Sequence, residues 1–352
     1  MDLNDYNSFS HIDKQNYLAE IENLPGQLEN AYQQGLTLGL PAWKGIQRVL
    51  IAGMGGSAIG ADLLVAYAAP LSPVPIIVQR NYTLPAWESG PETLVIASSH
   101  SGNTEETLAA FEQALKSNCR ILALCTGGKL AKAAIASNVP LWTFVHSGQP
   151  RAAVGYSFGL LLALLRRLDL IPNPAGELAG TIAAMRTQQL SLQAELPVVR
   201  NLAKRLAGQL VGRWVMVFGA DMLEPVARRW KTQLNELAKA WGQFETLPEA
   251  DHNALAGLQQ PEQALSNAMA LFLRARSYHP RNLRRTELTK QAYMLEGLNT
   301  DFVDAQGETP LAQLWTALHF GDYVAYYLAM LYETDPTPIQ VLEGFKEQLA
   351  ES

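Results

Sequence analysis

The sequence predicts an α/β protein of two successive halves, each a mainly parallel sheet flanked by helices. Three observations lead there. The chain has 352 residues, which suits about two domains at roughly 150 residues each. Through the first half, short apolar runs alternate with glycine- or serine-marked loops and helical patterns, the rhythm of strand–helix–strand units. The second half repeats that rhythm more weakly.

In order along the chain, a helical lead-in precedes candidate strands at Val49 to Ala52, Ile76 to Gln79, Leu94 to Ala97, Ile121 to Cys125 and Leu141 to Val145. Between them lie helical patterns at Ala58 to Tyr67, Thr104 to Lys116 and Leu130 to Ala136. Ala152 to Leu168 reads as one long helix, Ile171-Pro172-Asn173-Pro174-Ala175-Gly176 as a linker, and Glu177 to Leu192 as a helical bridge. The expected division is an N-terminal subdomain at 1–168, linker and bridge at 169–200, and a C-terminal subdomain at 201–352. The second half has strand patterns at Trp214 to Phe218 and Ala268 to Leu273, helical patterns at Pro225 to Trp241 and Asn282 to Leu295, and a last helix from Thr337 onward. On the wheel for 225–241, Trp230, Leu234, Leu237 and Trp241 form the apolar stripe, and Glu236 lies well to one side of it.

Composition excludes several classes. Hydrophobic residues are 48% and charged residues 17%, ordinary globular usage rather than disorder, collagen or coiled coil. The net charge is −6, and no basic run exceeds Arg284-Arg285 or Arg228-Arg229-Trp230-Lys231, so no nucleic-acid partner is expected. The opening Met1-Asp2-Leu3-Asn4-Asp5-Tyr6 is polar and acidic, and the apolar stretch Gly159 to Leu165 is too short to span a bilayer, so a soluble cytosolic protein with no membrane partner is expected. Cys119 and Cys125 form neither a Cys-x-x-Cys pair nor a cluster with histidine, which argues against a disulfide framework and a zinc site.

Two loops carry the chemistry. In Val49-Leu50-Ile51-Ala52-Gly53-Met54-Gly55-Gly56-Ser57-Ala58-Ile59-Gly60 a strand runs through glycines into a helix, where backbone N–H groups and the positive helix end favour an anion. The same string fits Gly-x-Gly-x-x-Ala, a dinucleotide pattern, but the second strand ends Gln79-Arg80 where a nicotinamide site needs an acid. Arg80 leaves room for a 2′-phosphate, so NADP stays as an alternative. The second loop is Ser98-Ser99-His100-Ser101-Gly102-Asn103-Thr104-Glu105-Glu106-Thr107. Asn103 and Glu106 have capping-box spacing, yet capping needs no further hydroxyls at Ser99, Ser101 and Thr104. A compact phosphomonoester does. The corresponding loop of the second half, Gly219-Ala220-Asp221, lacks the second glycine and the serine, which suggests one phosphate site per chain.

Gly55-Gly56-Ser57 and Ser99-His100-Ser101-Gly102-Asn103-Thr104-Glu105-Glu106-Thr107 resemble the sugar-isomerase (SIS) domain, and the whole chain from about residue 20 resembles the bifunctional phosphoglucose/phosphomannose isomerases. The resemblance continues at Pro150-Arg151-Ala152, Lys231-Thr232-Gln233-Leu234-Asn235-Glu236-Leu237-Ala238-Lys239, Asp251-His252-Asn253, and Asp335-Pro336-Thr337-Pro338 ahead of Lys346. It implies two SIS subdomains, a homodimer with shared active sites, and reversible isomerisation of hexose 6-phosphates without metal, nucleotide or other cofactor. By the same resemblance Ser57, Ser99, Ser101 and Thr104 hold the phosphate and Gly55 and Gly56 give it room. Glu236 is the base between carbons 1 and 2, Arg151 stabilises the enediolate, and His252 and Lys346 assist ring opening. His100 stands where the family is expected to carry another residue, often aromatic, and receives no role. His11, His146, His279 and His319 read as structural.

Other classes compete less well. A sugar-phosphate-sensing SIS regulator would need a basic DNA-binding segment. The glucosamine-forming amidotransferase, which also pairs SIS domains, needs an N-terminal cysteine nucleophile, and Met1-Asp2 points away from it. An NADP-dependent dehydrogenase leaves the second hydroxyl-rich loop unexplained.

Overall fold

The computed structural model describes residues 1–350, except for the side chain of Ala350; residues 351 and 352 of the expected C-terminal subdomain lie outside it. Its elements are α1 (Tyr17–Glu22), α2 (Leu24–Thr37), β1 (Arg48–Ala52), α3 (Gly55–Ala68), β2 (Ile76–Gln79), β3 (Thr93–Ser99), α4 (Glu105–Lys116), β4 (Arg120–Cys125), α5 (Gly128–Ala136), β5 (Leu141–Thr143), α6 (Val154–Arg167) and α7 (Ala175–Gln189). There follow α8 (Leu202–Leu210), β6 (Trp214–Ala220), α9 (Glu224–Glu236), β7 (Gly242–Leu247), α10 (Glu262–Leu265), β8 (Ala268–Arg274), α11 (Pro280–Leu295), β9 (Asn299–Asp304), α12 (Pro310–Leu331) and α13 (Gln340–Ala350). The chain divides into two compact units, Asn23–Ala183 with Thr309–Ala312, and Met1–Glu22 with Ala184–Glu308 and the residues from Gln313 onward.

The first unit holds a five-stranded sheet in the order β2-β1-β3-β4-β5, with every pairing parallel. Its central strand β3 is buried at every residue, because helices cover both faces of a parallel sheet. Leu50, Val95, Ala97, Ile121 and Ala123 pack with Ala110, Phe111 and Ala114 of α4 in one apolar cluster. Chain order reverses between β1 and β3, so their C-terminal ends flank a topological switch point, the place where open α/β sheets bind ligands.

The second unit holds a parallel sheet in the order β7-β6-β8-β9. Its two edge strands escape the sequence reading for a physical reason. β7 (Gly-Gln-Phe-Glu-Thr-Leu) and β9 (Asn-Thr-Asp-Phe-Val-Asp) carry the polar residues that protect exposed edges, so neither looks like an apolar run. Helix α12 is also unforeseen. Its residues from Leu314 to Met330 are buried except Phe320, and a helix apolar on all sides shows little periodicity. No helix among the described residues is long and apolar enough to cross a membrane.

Helix α9 is fixed to α12 at two points. Arg229 makes a bidentate pair with Asp322 at 3.1 and 2.9 Å, both side chains at most 3% exposed. Burial opposes the guanidinium's charge, and the Asp322 carboxylate beside it outweighs that and raises its pKa. Trp230 Nε1 donates to the Ala317 carbonyl at 2.9 Å. The helix stops at Glu236 rather than running to Trp241, since Lys239 takes a left-handed backbone (φ 52°). Trp241 therefore leaves the apolar stripe and is 76% exposed.

Fully buried His319 of α12 hydrogen-bonds the Ile21 carbonyl through Nε2 at 2.8 Å, and its Nδ1 has no partner. Burial depresses its pKa from 6.5 to about 4. The folded state therefore holds this ring neutral while the unfolded chain binds a proton below pH 6.5, so stability falls as pH drops from about 6.5 to 4. The full contribution is about 3 kcal/mol. In urea titrations at pH 7 and pH 4.5, His319→Gln is expected to lose less stability on acidification than the parent. Equal losses would show that this ring does not carry the acid sensitivity.

Candidate active site

The first loop begins where β1 ends. Gly55 turns the chain (φ 50°) into α3, and a side chain at Gly56 would place its Cβ 2.3 Å from the Pro150 carbonyl oxygen and 3.1 Å from the Arg151 nitrogen. Only glycine lets the Pro150-Arg151 backbone lie against the loop. The second loop leaves β3, the sheet neighbour of β1. Ser99 Oγ accepts the Gly102 N–H at 3.1 Å and lies 2.9 Å from Thr104 Oγ1, while Ser101 Oγ accepts the Asn103 N–H at 3.2 Å. The two loops are joined directly, because the His100 N–H donates to Ser57 Oγ at 3.1 Å.

Gly55, Gly56, Ser57, Ser99, Thr104 and Arg151 thus come together in one unit, at the start of α3 and α4. Ser57, Ser99 and Arg151 are 5%, 2% and 4% exposed. Arg151 is thus a buried cation rather than a surface one, and Gln149 Oε1 accepts from its Nη1 at 3.3 Å. Ser101 is exposed at the rim. Thr104 precedes α4 without a side-chain cap bond, and Asn103 accepts the Lys129 N–H at 3.0 Å, so the Asn103–Glu106 capping box does not form. Two helix N-termini, buried hydroxyls and a buried guanidinium suit a phosphate in chemistry and charge.

The loop after β6 in the second unit is built differently. Asp221 Oδ2 accepts the His279 N–H at 2.9 Å, and Oδ1 accepts from Asn282 at 2.7 Å. His279 caps α11, so the chain's own carboxylate takes the helix end that an anion would occupy. That is a physical reason why this loop, unlike its counterpart in the first unit, needs no external anion.

The other residues that the sequence points to, Glu236, His252 and Lys346, all lie in this second unit. Glu236 is the last residue of α9 and half-buried, and it lines a cleft of about 710 Å³ with Lys239, Trp241, Asp335, Pro338 and Leu342. His252 is exposed at the end of a short 3-10 turn. Its neighbour Asp251 pins that turn to α11, accepting from Arg285 at 2.8 Å and Thr289 at 2.7 Å. Lys346 is exposed on α13.

His100, left without a role by sequence, is hydrogen-bonded through Nε2 to His146 Nδ1 at 2.9 Å and stands edge-on to Phe144. Phe144 stacks on Tyr156 at 5.1 Å and 18°. Arg80, the residue that kept an NADP reading open, pairs with Asp62. Among the described residues no three His, Cys, Asp or Glu side chains gather as metal ligands. Sequence reasoning missed the Arg229–Asp322 anchor, whose one local signal is an acid inside the apolar run of α12. It also missed Lys239, which bonds carbonyl oxygens on both sides of the Glu236 cleft.

Residues 199–349 match the family model described as the bacterial phospho-glucose isomerase C-terminal SIS domain. A bifunctional phosphoglucose/phosphomannose isomerase of Caldicellulosiruptor bescii is 37% identical over 335 residues, covering 94% of this chain and 98% of that protein. One from Aquifex aeolicus is 30% identical, covering 88% and 92%. A solved structure titled a glucose-6-phosphate isomerase like protein from Thermus thermophilus superposes with a TM-score of 0.66 over 97% of this chain and 99% of that one, and at 22% identity it establishes the shared fold. With parallel sheets in both units and relatives matched over nearly their full length, the chain belongs to the bifunctional phosphoglucose/phosphomannose isomerase family.

Proposed function

We propose that this chain interconverts glucose 6-phosphate and mannose 6-phosphate with fructose 6-phosphate, moving a proton between carbons 1 and 2 through a cis-enediol. The observation that carries the reading is the cradle at the β1–β3 switch point, with Ser57, Ser99 and Arg151 buried beside two helix N-termini. The N-terminal subdomain supplies the phosphate loops and the C-terminal subdomain the base. Ser57, Ser99, Ser101 and Thr104 hold the phosphate, and Gly55 and Gly56 keep the backbone clear for it. Ring opening falls to His252 and Lys346. Glu236 then removes the proton from carbon 2 of the aldose and returns it to carbon 1, while the hydroxyl proton of carbon 2 passes to the oxygen of carbon 1. A proton next to a carbonyl is weakly acidic, so a positioned base supplies about 10²–10⁴-fold. The Arg151 cation stabilises the charge that develops on the enediolate oxygens. No metal, nucleotide or other cofactor takes part. The enzyme works in the cytoplasm as a homodimer, each site taking His252 from the partner subunit.

Supplying fructose 6-phosphate and quantifying both aldose phosphates over time tests the reading. Glucose 6-phosphate and mannose 6-phosphate are both expected to accumulate, and absence of both would remove it. For the phosphate loops, Ser57→Ala and Thr104→Ala each delete a hydrogen bond to a charged group, worth about 1.5–3 kcal/mol. Their Michaelis constants are expected to rise roughly ten- to a hundredfold. Unchanged constants in both variants would place the phosphate elsewhere.

A further inference from the structure

Among the described residues other than glycine that adopt positive φ, all but Lys239 and Glu333 are Asn or Asp, the types that tolerate the left-handed region. Lys239 holds φ 52° three residues past the end of α9, a backbone region that side chains other than Asn and Asp seldom adopt. An exposed lysine there gains nothing from burial and gives up side-chain freedom if it is held. Yet it is held. Its Nζ donates to the carbonyls of Glu236 at 2.7 Å, Asp335 at 3.0 Å and Pro336 at 3.4 Å. The first acceptor is the backbone of the assigned base, and the other two lie in the segment that leads into α13, which carries Lys346. A strained residue whose side chain ties together two functional segments points to function rather than fold stability.

Building on the isomerase reading, we infer that Lys239 is a positioning residue, joining the end of the base-bearing helix to the segment ahead of Lys346 so that Glu236 is fixed for proton transfer. The Glu236 carbonyl is one of the last in α9, with no intrahelical donor left for it. The ammonium supplies that donor and sets the direction in which the final turn presents its carboxylate. Displacing a catalytic group by about 1 Å is enough to cost on the order of 10²-fold in rate.

The test compares Lys239→Met, which keeps the stem and removes the three bonds, with Lys239→Gly, which removes them and relieves the left-handed backbone. For each, turnover and Michaelis constant for fructose 6-phosphate, the thermal midpoint, and exchange of the carbon 2 proton of glucose 6-phosphate with solvent are measured beside the parent. Turnover and exchange are expected to fall together by about tenfold or more in both variants, with Michaelis constants within about threefold of the parent. Lys239→Gly is expected to melt at or above the parent temperature. Turnover retained within about twofold in either variant overturns the assignment. So does a loss of turnover that only accompanies a lowered midpoint and a raised Michaelis constant in both, since that marks a general staple. If the parent itself does not turn over, the isomerase reading fails first and this inference falls with it.

Discussion

Glu236→Gln is expected to lose at least about 10²-fold in turnover while the Michaelis constant for hexose 6-phosphate stays near the parent value, the pattern of a group that acts only in the proton-transfer step. The change is nearly isosteric at a half-buried position, so the fold should not notice it. The helix behind it is held independently. Arg229, two turns earlier, is locked to Asp322, and Trp230 is locked to the Ala317 carbonyl. Removing one partner of such a buried pair costs about 3–5 kcal/mol because a charge is left uncompensated. Glu236 contributes only a lesser attraction to the Arg229 guanidinium, behind that of Asp322, so Glu236→Gln leaves the bidentate pair in place. A rate defect with an unchanged melting profile would therefore belong to the carboxylate. The direct check is exchange of the carbon 2 proton of glucose 6-phosphate with solvent. Exchange at the parent rate in Glu236→Gln would show that another group is the base.

The parts of this fold that the sequence announces are those whose cause is local. Strands β1, β3, β4, β6 and β8 stand inside their sheets and must be apolar on both faces, so each is a visible run. Edge strands β7 and β9 face a different demand and carry Gln, Glu, Asn and Asp, which hides them. The phosphate loops are legible for the same reason as the inner strands, because a turn that brings backbone amides to an anion requires glycines and hydroxyls within a few residues. Arg151 is less so. Its placement depends on Gly56, nearly a hundred positions earlier, accepting the Pro150-Arg151 backbone at close range. The end of α9 turns on the left-handed backbone at Lys239, which nothing in the apolar stripe foretells. Glu236 itself looks like an ordinary solvated glutamate on a wheel, and only the resemblance across Lys231 to Lys239 singles it out. The Asp221 plug lies between these cases. The missing glycine and serine are plain in the sequence, but the carboxylate that fills the place is seen only with its two donors across the loop.

The proposed sharing of active sites between subunits leads to a count. The proposed homodimer pairs Glu236 of one chain with His252 of the other, as the family resemblance implies. His252 is suited to reach outward, being exposed on a turn whose neighbour Asp251 is anchored to Arg285 and Thr289. Twofold symmetry makes the exchange reciprocal, so each site draws on both chains. When Glu236→Gln chains are mixed with His252→Ala chains and allowed to exchange, each heterodimer contains one site with both defects and one with both native residues. Random pairing makes about half of the dimers mixed, and one of their two sites is intact, so activity is expected to rise from nearly nothing to about a quarter of the parent level. Tagged subunits report the exchange separately from the activity. If mixed dimers form and the mixture stays as inactive as its components, Glu236 and His252 serve the same chain's site. Recovery well above a quarter would mean that neither variant is as defective alone as the mechanism requires.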